Sequence, residues 1–287
     1  MNEPTAPAAI PIVFIHGLWM HASAWDSWVT LFNQSGYQAI APGWPGDSAT
    51  PAKTRQNAEA VANRGVGEIT DHYARVVGGL PSEPIVIGHS FGGLIAERLL
   101  GQGLARGGVV IAPAQFRGVW RLPFVQLRTA WPVLGHPRNR RKAVSQTPEQ
   151  FHRGFANALS REESDELYER YVIPAPALPL FQAGLANLPG KTDATVDVRR
   201  QRGPLLMIAG GADRTVPAAT VRSAYKRYRR NPSVTELKVL DGRSHSQPID
   251  HGWLDVARYA MDFLASNGLA PGTTRNMHNP DETLNSR

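Results

Sequence analysis

The chain has 287 residues, 42% of them hydrophobic and 19% charged, a balance that suits one large folded domain carrying an insertion and excludes a disordered chain. The formal charge is +7, from 31 Lys and Arg against 24 Asp and Glu; the bases gather in short pieces without a nucleic-acid-binding motif, so nucleic acid is set aside as a partner. Cysteine is absent, which excludes disulfides, thiolate catalysis and cysteine-held metals.

Met1 to Pro11 has no basic stretch leading into an apolar one, and no apolar run is long enough to span a bilayer. The expectation is a cytoplasmic protein. Ile12 to Ile15 is a short β-branched and aromatic run, read as a buried strand entering a loop at His16-Gly17. A helix follows, with Ser23 as its cap and Asp26 three residues on. Trp25, Trp28, Val29 and Phe32 supply its apolar positions, and Gly36 stops it. Gln38 to Ala41 is the second strand, and Pro42-Gly43-Trp44-Pro45-Gly46 a turn-rich loop. A helical stretch from Asn57 to Val77 should bend or break at Gly65 and Gly67.

Ile85 to Ile87 is the next strand, Ser90 to Leu100 a helix and Val109 to Ala112 a strand. Leu205 to Ala209 and Glu236 to Leu240 are two more strands, and Ile249 to Leu264 a closing helix. Strands alternating with helices predict an α/β fold with a mostly parallel, doubly wound sheet. The interval between Ala112 and Leu205 is far longer than a crossover needs, and reads as an inserted helical lid over 114–202. Thr147 with Gln150 and Ser160 with Glu163 predict two capped helix starts inside it. The core then comprises 1–113 and 203–268, and 269–287 is a polar tail. The basic pieces Arg138 to Lys142, Arg199 to Arg202 and Lys226 to Arg230 read as solvated faces, with a membrane surface only a minority partner.

Gly88-His89-Ser90-Phe91-Gly92 follows a strand and opens a helix, the context that a G-x-S-x-G elbow requires. The glycines permit the strained turn that lifts a serine hydroxyl above the sheet. A serine hydroxyl needs a base to activate it and a carboxylate to orient that base. Of nine histidines, His245 sits between the last strand and the last helix, at the edge where strand C-termini open. His251, at a helix start, is the alternative, and His89 within the elbow should point away from the nucleophile. Asp213 emerges in the loop after Leu205 to Ala209 and gives the order Ser, Asp, His; Asp241 is the fallback. The backbone N–H groups of Leu18 and Phe91 are placed to form an oxyanion hole, a task that asks nothing of side-chain identity. Trp19, Met20, Trp120 and Trp131 fall on loops or lid and are candidate pocket residues.

These segments, from Ile12 to about Leu264, resemble the α/β-hydrolase superfamily, and His16-Gly17 through Trp25 more loosely resembles its small esterase and hydroxynitrile lyase branch. The resemblance implies Ser90 as nucleophile, Asp213 as acid, His245 as base, and Leu18 with Phe91 as the oxyanion hole, with no metal or organic cofactor. Two departures stand out: the family's leading hairpin is missing, and the lid is longer than in minimal members. The expected reaction is hydrolysis of a fairly apolar acyl or aromatic ester, a small molecule, with the lid gating access. Thioester or amide cleavage, perhydrolysis and cyanohydrin cleavage share the same constellation. A non-catalytic receptor on this fold should lack a triad member, and a dehalogenase or epoxide hydrolase needs a carboxylate where Ser90 stands.

Overall fold

In the computed structural model, which describes residues 9–272, the β-branched runs become strands β1 (Pro11–Ile15), β2 (Gln38–Ile40), β3 (Ile85–His89) and β4 (Gly107–Ile111). The two-residue strands β5 (Ala143–Val144) and β6 (Ala175–Pro176) pair antiparallel as a separate ribbon, and β7 (Leu205–Gly210) and β8 (Thr235–Leu240) complete the main sheet. The sheet order is β2-β1-β3-β4-β7-β8 with every pair parallel. This is the α/β class expected from the strand–helix alternation. The chain builds outward from β1 in one direction to β2 and in the other to β3, so the C-terminal ends of β1 and β3 flank the switch point where crevices form in such sheets.

Alternation along each strand divides the core. Ile12 and Phe14 of β1 face Trp25, Trp28, Phe32 and Phe263 on one side of the sheet. Val13 and Ile15 face the other side, with Val86, Leu94, Leu99 and Met207. Trp28 also ties the first helix (Asp26–Gln34) to the last loop, its indole N–H donating to Pro248 O at 2.8 Å. Helix Phe91–Gln102 buries Glu97, whose carboxylate accepts from the Tyr228 hydroxyl at 2.9 Å. Desolvation pushes that carboxyl up to about 8, against the opposing pull of Tyr228 and Arg202.

Several boundaries differ from the sequence expectation for identifiable reasons. Ser23 does not cap the first α-helix. It lies inside a 3₁₀ turn (Ala22–Trp25), and His21 Nδ1 accepts from Ser23 N instead. The stretch from Asn57 becomes a 3₁₀ turn (Ala58–Val61) and helix Val66–Gly78 with Gly65 as N-cap, preceded by an unanticipated helix, Pro51–Gln56, capped by Thr50. The closing helix starts at Trp253 rather than Ile249.

Between β4 and β7 lie helices Phe124–Leu134, Pro148–Gly154, Arg161–Tyr171 and Leu178–Gly184. Thr147 and Gln150 form the full capping box. Ser160 accepts from Glu163 N, but the Glu163 carboxylate turns instead to His251. Among the described residues no strand precedes β1; the tail beyond residue 272 lies outside them. No helix among them is long and apolar enough to cross a membrane.

Candidate active site

The elbow forms because β3 runs directly into helix Phe91–Gln102, with Ser90 between them at φ 55° and ψ −121°. Positive φ is uncommon for a residue with a Cβ. Of four such non-glycine residues among those described, Trp19, Ser90 and Ala112 follow β1, β3 and β4 around the same rim. Strain gathered at one rim is held by surrounding bonds: Ser90 N donates to Ile111 O at 3.0 Å, and Ala114 N to Ser90 O at 2.9 Å. Gly92 lets the helix press on β1, since a Cβ there would stand 2.1 Å from Ile15 O.

Asp213 leaves β7 and His245 leaves β8 at the same edge, both buried. Asp213 Oδ2 lies 2.7 Å from His245 Nδ1. The other oxygen, Oδ1, accepts from Thr215 N and Val216 N at 2.8 Å each, which fixes the carboxylate. With Nδ1 engaged by a carboxylate, Nε2 carries the free lone pair. Nε2 is buried without a hydrogen-bond partner, so the contact to Ser90 Oγ is not closed in this conformation.

The imidazole is held on both faces. The His89 ring lies 4.5 Å away and the Phe155 ring meets it edge-on at 4.7 Å, centroid to centroid. His89 therefore packs against the expected base. Burial, and secondarily the adjacent His245, pushes His89 well below the ordinary histidine value, so this ring is neutral. The loop carrying His245 is braced from below: Ser246 N donates to Phe155 O at 3.0 Å, and Ser246 Oγ to the buried Asp250 at 2.8 Å. Arg243 also pairs with Asp250.

The first loop is tighter than the sequence suggested. A Cβ on Gly17 would stand 2.7 Å from Ser90 Cβ and 2.9 Å from His89 O, so side-chain identity does matter there. His16 is buried beside Asp47, 3.0 Å from Nε2 to Oδ2, and stacks on Trp44. The backbone N–H groups of Leu18 and Phe91 donate to no protein acceptor among the described residues.

Ser90 opens into a narrow cavity of about 60 Å³ whose lining includes Trp19, Phe91, Leu122, Gln126, Leu134 and Val216. Trp19 is the one member of the expected pocket set found there. Met20 is buried and bridges to Val172; Trp120 and Trp131 point to solvent. His251 is exposed and paired with Glu163, and His245 takes its carboxylate partner from Asp213 rather than Asp241. Among the described residues no group of three or more His, Asp or Glu side chains is arranged to hold a metal ion.

A family profile described as the alpha/beta hydrolase family matches residues 12–259, and the chain belongs to that family. Membership supports hydrolytic activity on small molecules. An extracellular alpha/beta-hydrolase from a Paenibacillus species superposes with a TM-score of 0.66 at 18% identity, covering 88% of this chain and 98% of that one. A methylesterase from Arabidopsis gives 0.63 at 16%, covering 90% and 100%. The monoacylglycerol lipase of Paleococcus ferrophilus gives 0.61 at 22%, covering 90% and 94%. No curated protein sequence matches.

Proposed function

We propose that the protein is a serine hydrolase of carboxylic esters, with Ser90 as nucleophile, His245 as base and Asp213 as orienting acid. The observation that carries this reading is the 2.7 Å Asp213–His245 contact with Nε2 left free, at the rim where the strained Ser90 is presented. In the first step the Ser90 side chain turns to bring Oγ to Nε2. As Oγ attacks the ester carbonyl, Nε2 takes the hydroxyl proton, and Asp213 stabilises the imidazolium without being protonated. The Leu18 and Phe91 N–H groups receive the oxyanion, the alcohol leaves with the proton from His245, and water resolves the acyl-enzyme by the same route.

The mainly apolar lining beside Ser90 favours a small apolar acyl or aromatic group. At about 60 Å³ the cavity holds only a few water-sized volumes. Substrate entry therefore requires displacement of helix Phe124–Leu134, which makes the insertion over 114–202 a cover on the core formed by 1–113 and 203–268. The test is labelling with a fluorophosphonate followed by a series of p-nitrophenyl esters of graded length. Stoichiometric labelling that disappears in Ser90→Ala, with turnover of short esters, is the expected result. Folded wild-type protein that takes no label at Ser90 overturns the reading.

A further inference from the structure

Helix Phe124–Leu134 turns a large apolar surface outward. Phe124 is 79% exposed, Leu127 43% and Trp131 67%, and Trp120 just before the helix is 73% exposed. Positions 124, 127 and 131 recur at helical spacing and so share one face, with Leu127 at its edge also reaching the Ser90 cavity, while the buried Gln126 and Val133 lie on the other. Soluble monomers rarely leave so many large side chains uncovered together.

The charge around this face is equally one-sided. From Pro113 to Pro148 the chain has seven Lys and Arg and no Asp or Glu, so the whole formal excess of +7 sits on this segment and the remaining 24 bases balance the 24 acids. Arg117 is used internally, donating to Ala186 O, Leu188 O and Gly190 O. Arg121, Arg128, Arg138, Arg140, Arg141 and Lys142 are exposed. None of the six belongs to an ion pair among the described residues.

We infer that this face docks on an anionic phospholipid surface, with Trp120, Phe124 and Trp131 entering the headgroup and upper acyl layer and the six bases meeting lipid phosphates. Aromatic side chains beside an unpaired basic cluster are what such an interface takes up, and each base near an anionic surface raises partitioning on the order of fivefold. A second copy of the chain is the weaker occupant, because a two-fold contact through this patch sets one basic cluster against its twin. The inner side of the same helix lines the Ser90 cavity, through Gln126, Ala130 and Leu134 among others, so docking brings the membrane to the mouth of that cavity. The inference stands on the surface alone and does not require the hydrolase reading. Sequence reading treats Arg138 to Lys142 as a solvated face because nothing in its local pattern reveals that the neighbouring helix is apolar on its outer side.

The test is co-sedimentation of the full chain with vesicles of phosphatidylcholine alone or of an equal mixture with phosphatidylglycerol, at low and physiological salt, alongside p-nitrophenyl acetate turnover in solution. Binding is expected to the mixed vesicles, at least tenfold weaker to the neutral ones and weakened by salt. Two variants should each lower it tenfold or more: Trp120→Ser with Phe124→Ser and Trp131→Ser, and Arg138→Gln with Arg140→Gln, Arg141→Gln and Lys142→Gln. Soluble turnover should stay within about twofold of wild type in both. Absence of binding to the mixed vesicles, equal binding to both kinds, or binding retained in the apolar variant overturns the inference. So does a concentration-dependent dimer that the apolar variant abolishes while vesicles go unbound. A wild type that binds vesicles but turns over no ester keeps the docking face and rejects the hydrolase reading; an active enzyme that ignores vesicles does the reverse.

Discussion

The insertion between β4 and β7 contains two unlike halves. Residues 148–176 are bonded into the rim that carries Ser90, Asp213 and His245: Phe155 packs on His245, Asn157 Nδ2 donates to Ala212 O at 2.9 Å, and Thr215 Oγ1 donates to Gly154 O at 3.0 Å. The same half holds the loop after β1, since His21 N donates to Tyr171 O and Ile173 N to Trp19 O. Residues 117–142, the proposed cover, are more exposed. Only two side chains of helix Phe124–Leu134 are buried. The first half is thus joined to the rim along its length, whereas the second touches it at fewer points, through Thr129 to Arg214 O and Thr220 to Arg121 O and Gln126, and leaves an apolar helix face exposed.

The largest expected effect tests the rim itself. Asp213→Asn should lower kcat on the order of 10³- to 10⁴-fold, because an amide no longer fixes the His245 tautomer, while far-UV circular dichroism stays unchanged; a loss under tenfold would remove Asp213 from the mechanism. Next, Phe155→Ala should cost about 3 to 5 kcal/mol in urea unfolding, as expected for a buried aromatic ring. A cost near zero would mean that residues 148–176 are no more part of the core than the cover is. Gly17→Ala should reduce turnover about 10²-fold through displacement of Ser90, measurable as kcat/KM on a short ester.

Glu97 supplies a control on pH. Its folded value of about 8 lies above that of the unfolded chain. Below the unfolded value both states hold the proton and nothing is lost. As pH rises toward 8 the unfolded state ionises first, so folding stability falls, by about 1.4 kcal/mol per pH unit at most. Glu97→Gln should flatten that decline, gaining little at pH 5 and most near pH 8, read as Tm against pH. If the two profiles are parallel, the buried carboxyl is not titrating as described. The smallest effect belongs to the cover: Trp131→Ala should change stability by less than about 0.5 kcal/mol, since its ring is mostly solvated.

The main-sheet strands were legible because buried β-branched runs bounded by turn residues have few other uses, and their ends fall within two residues of those expected. The shared edge of Ser90, Asp213 and His245 was legible for a related reason: each lies within five residues of the end of a strand, and parallel strands bring their C-termini to one edge. Helix Phe124–Leu134 was not, because its apolar residues face outward and it carries Pro132 inside. The packing of His89 and Phe155 on His245 was equally hidden, since it joins β3, the insertion and the loop after β8 across the fold. Thr50-Pro51, by contrast, was a readable helix start that the sequence reading passed over. The requirement at Gly17 depends on how closely two loops approach, which no local pattern records.

The strand order also governs when the site can come into being. Ser90 is in place once β3 and β4 pair, yet Asp213 and His245 arrive only with β7, which docks on β4, and β8, which docks on β7. If the proposed mechanism holds, a nascent polypeptide emerging from the ribosome presents an inert serine through most of its synthesis, and a product truncated ahead of Thr235 would lack His245. On the proposed mechanism, chemical competence waits for the last sixth of the chain, where His245 lies, even though Ser90 sits in its first third.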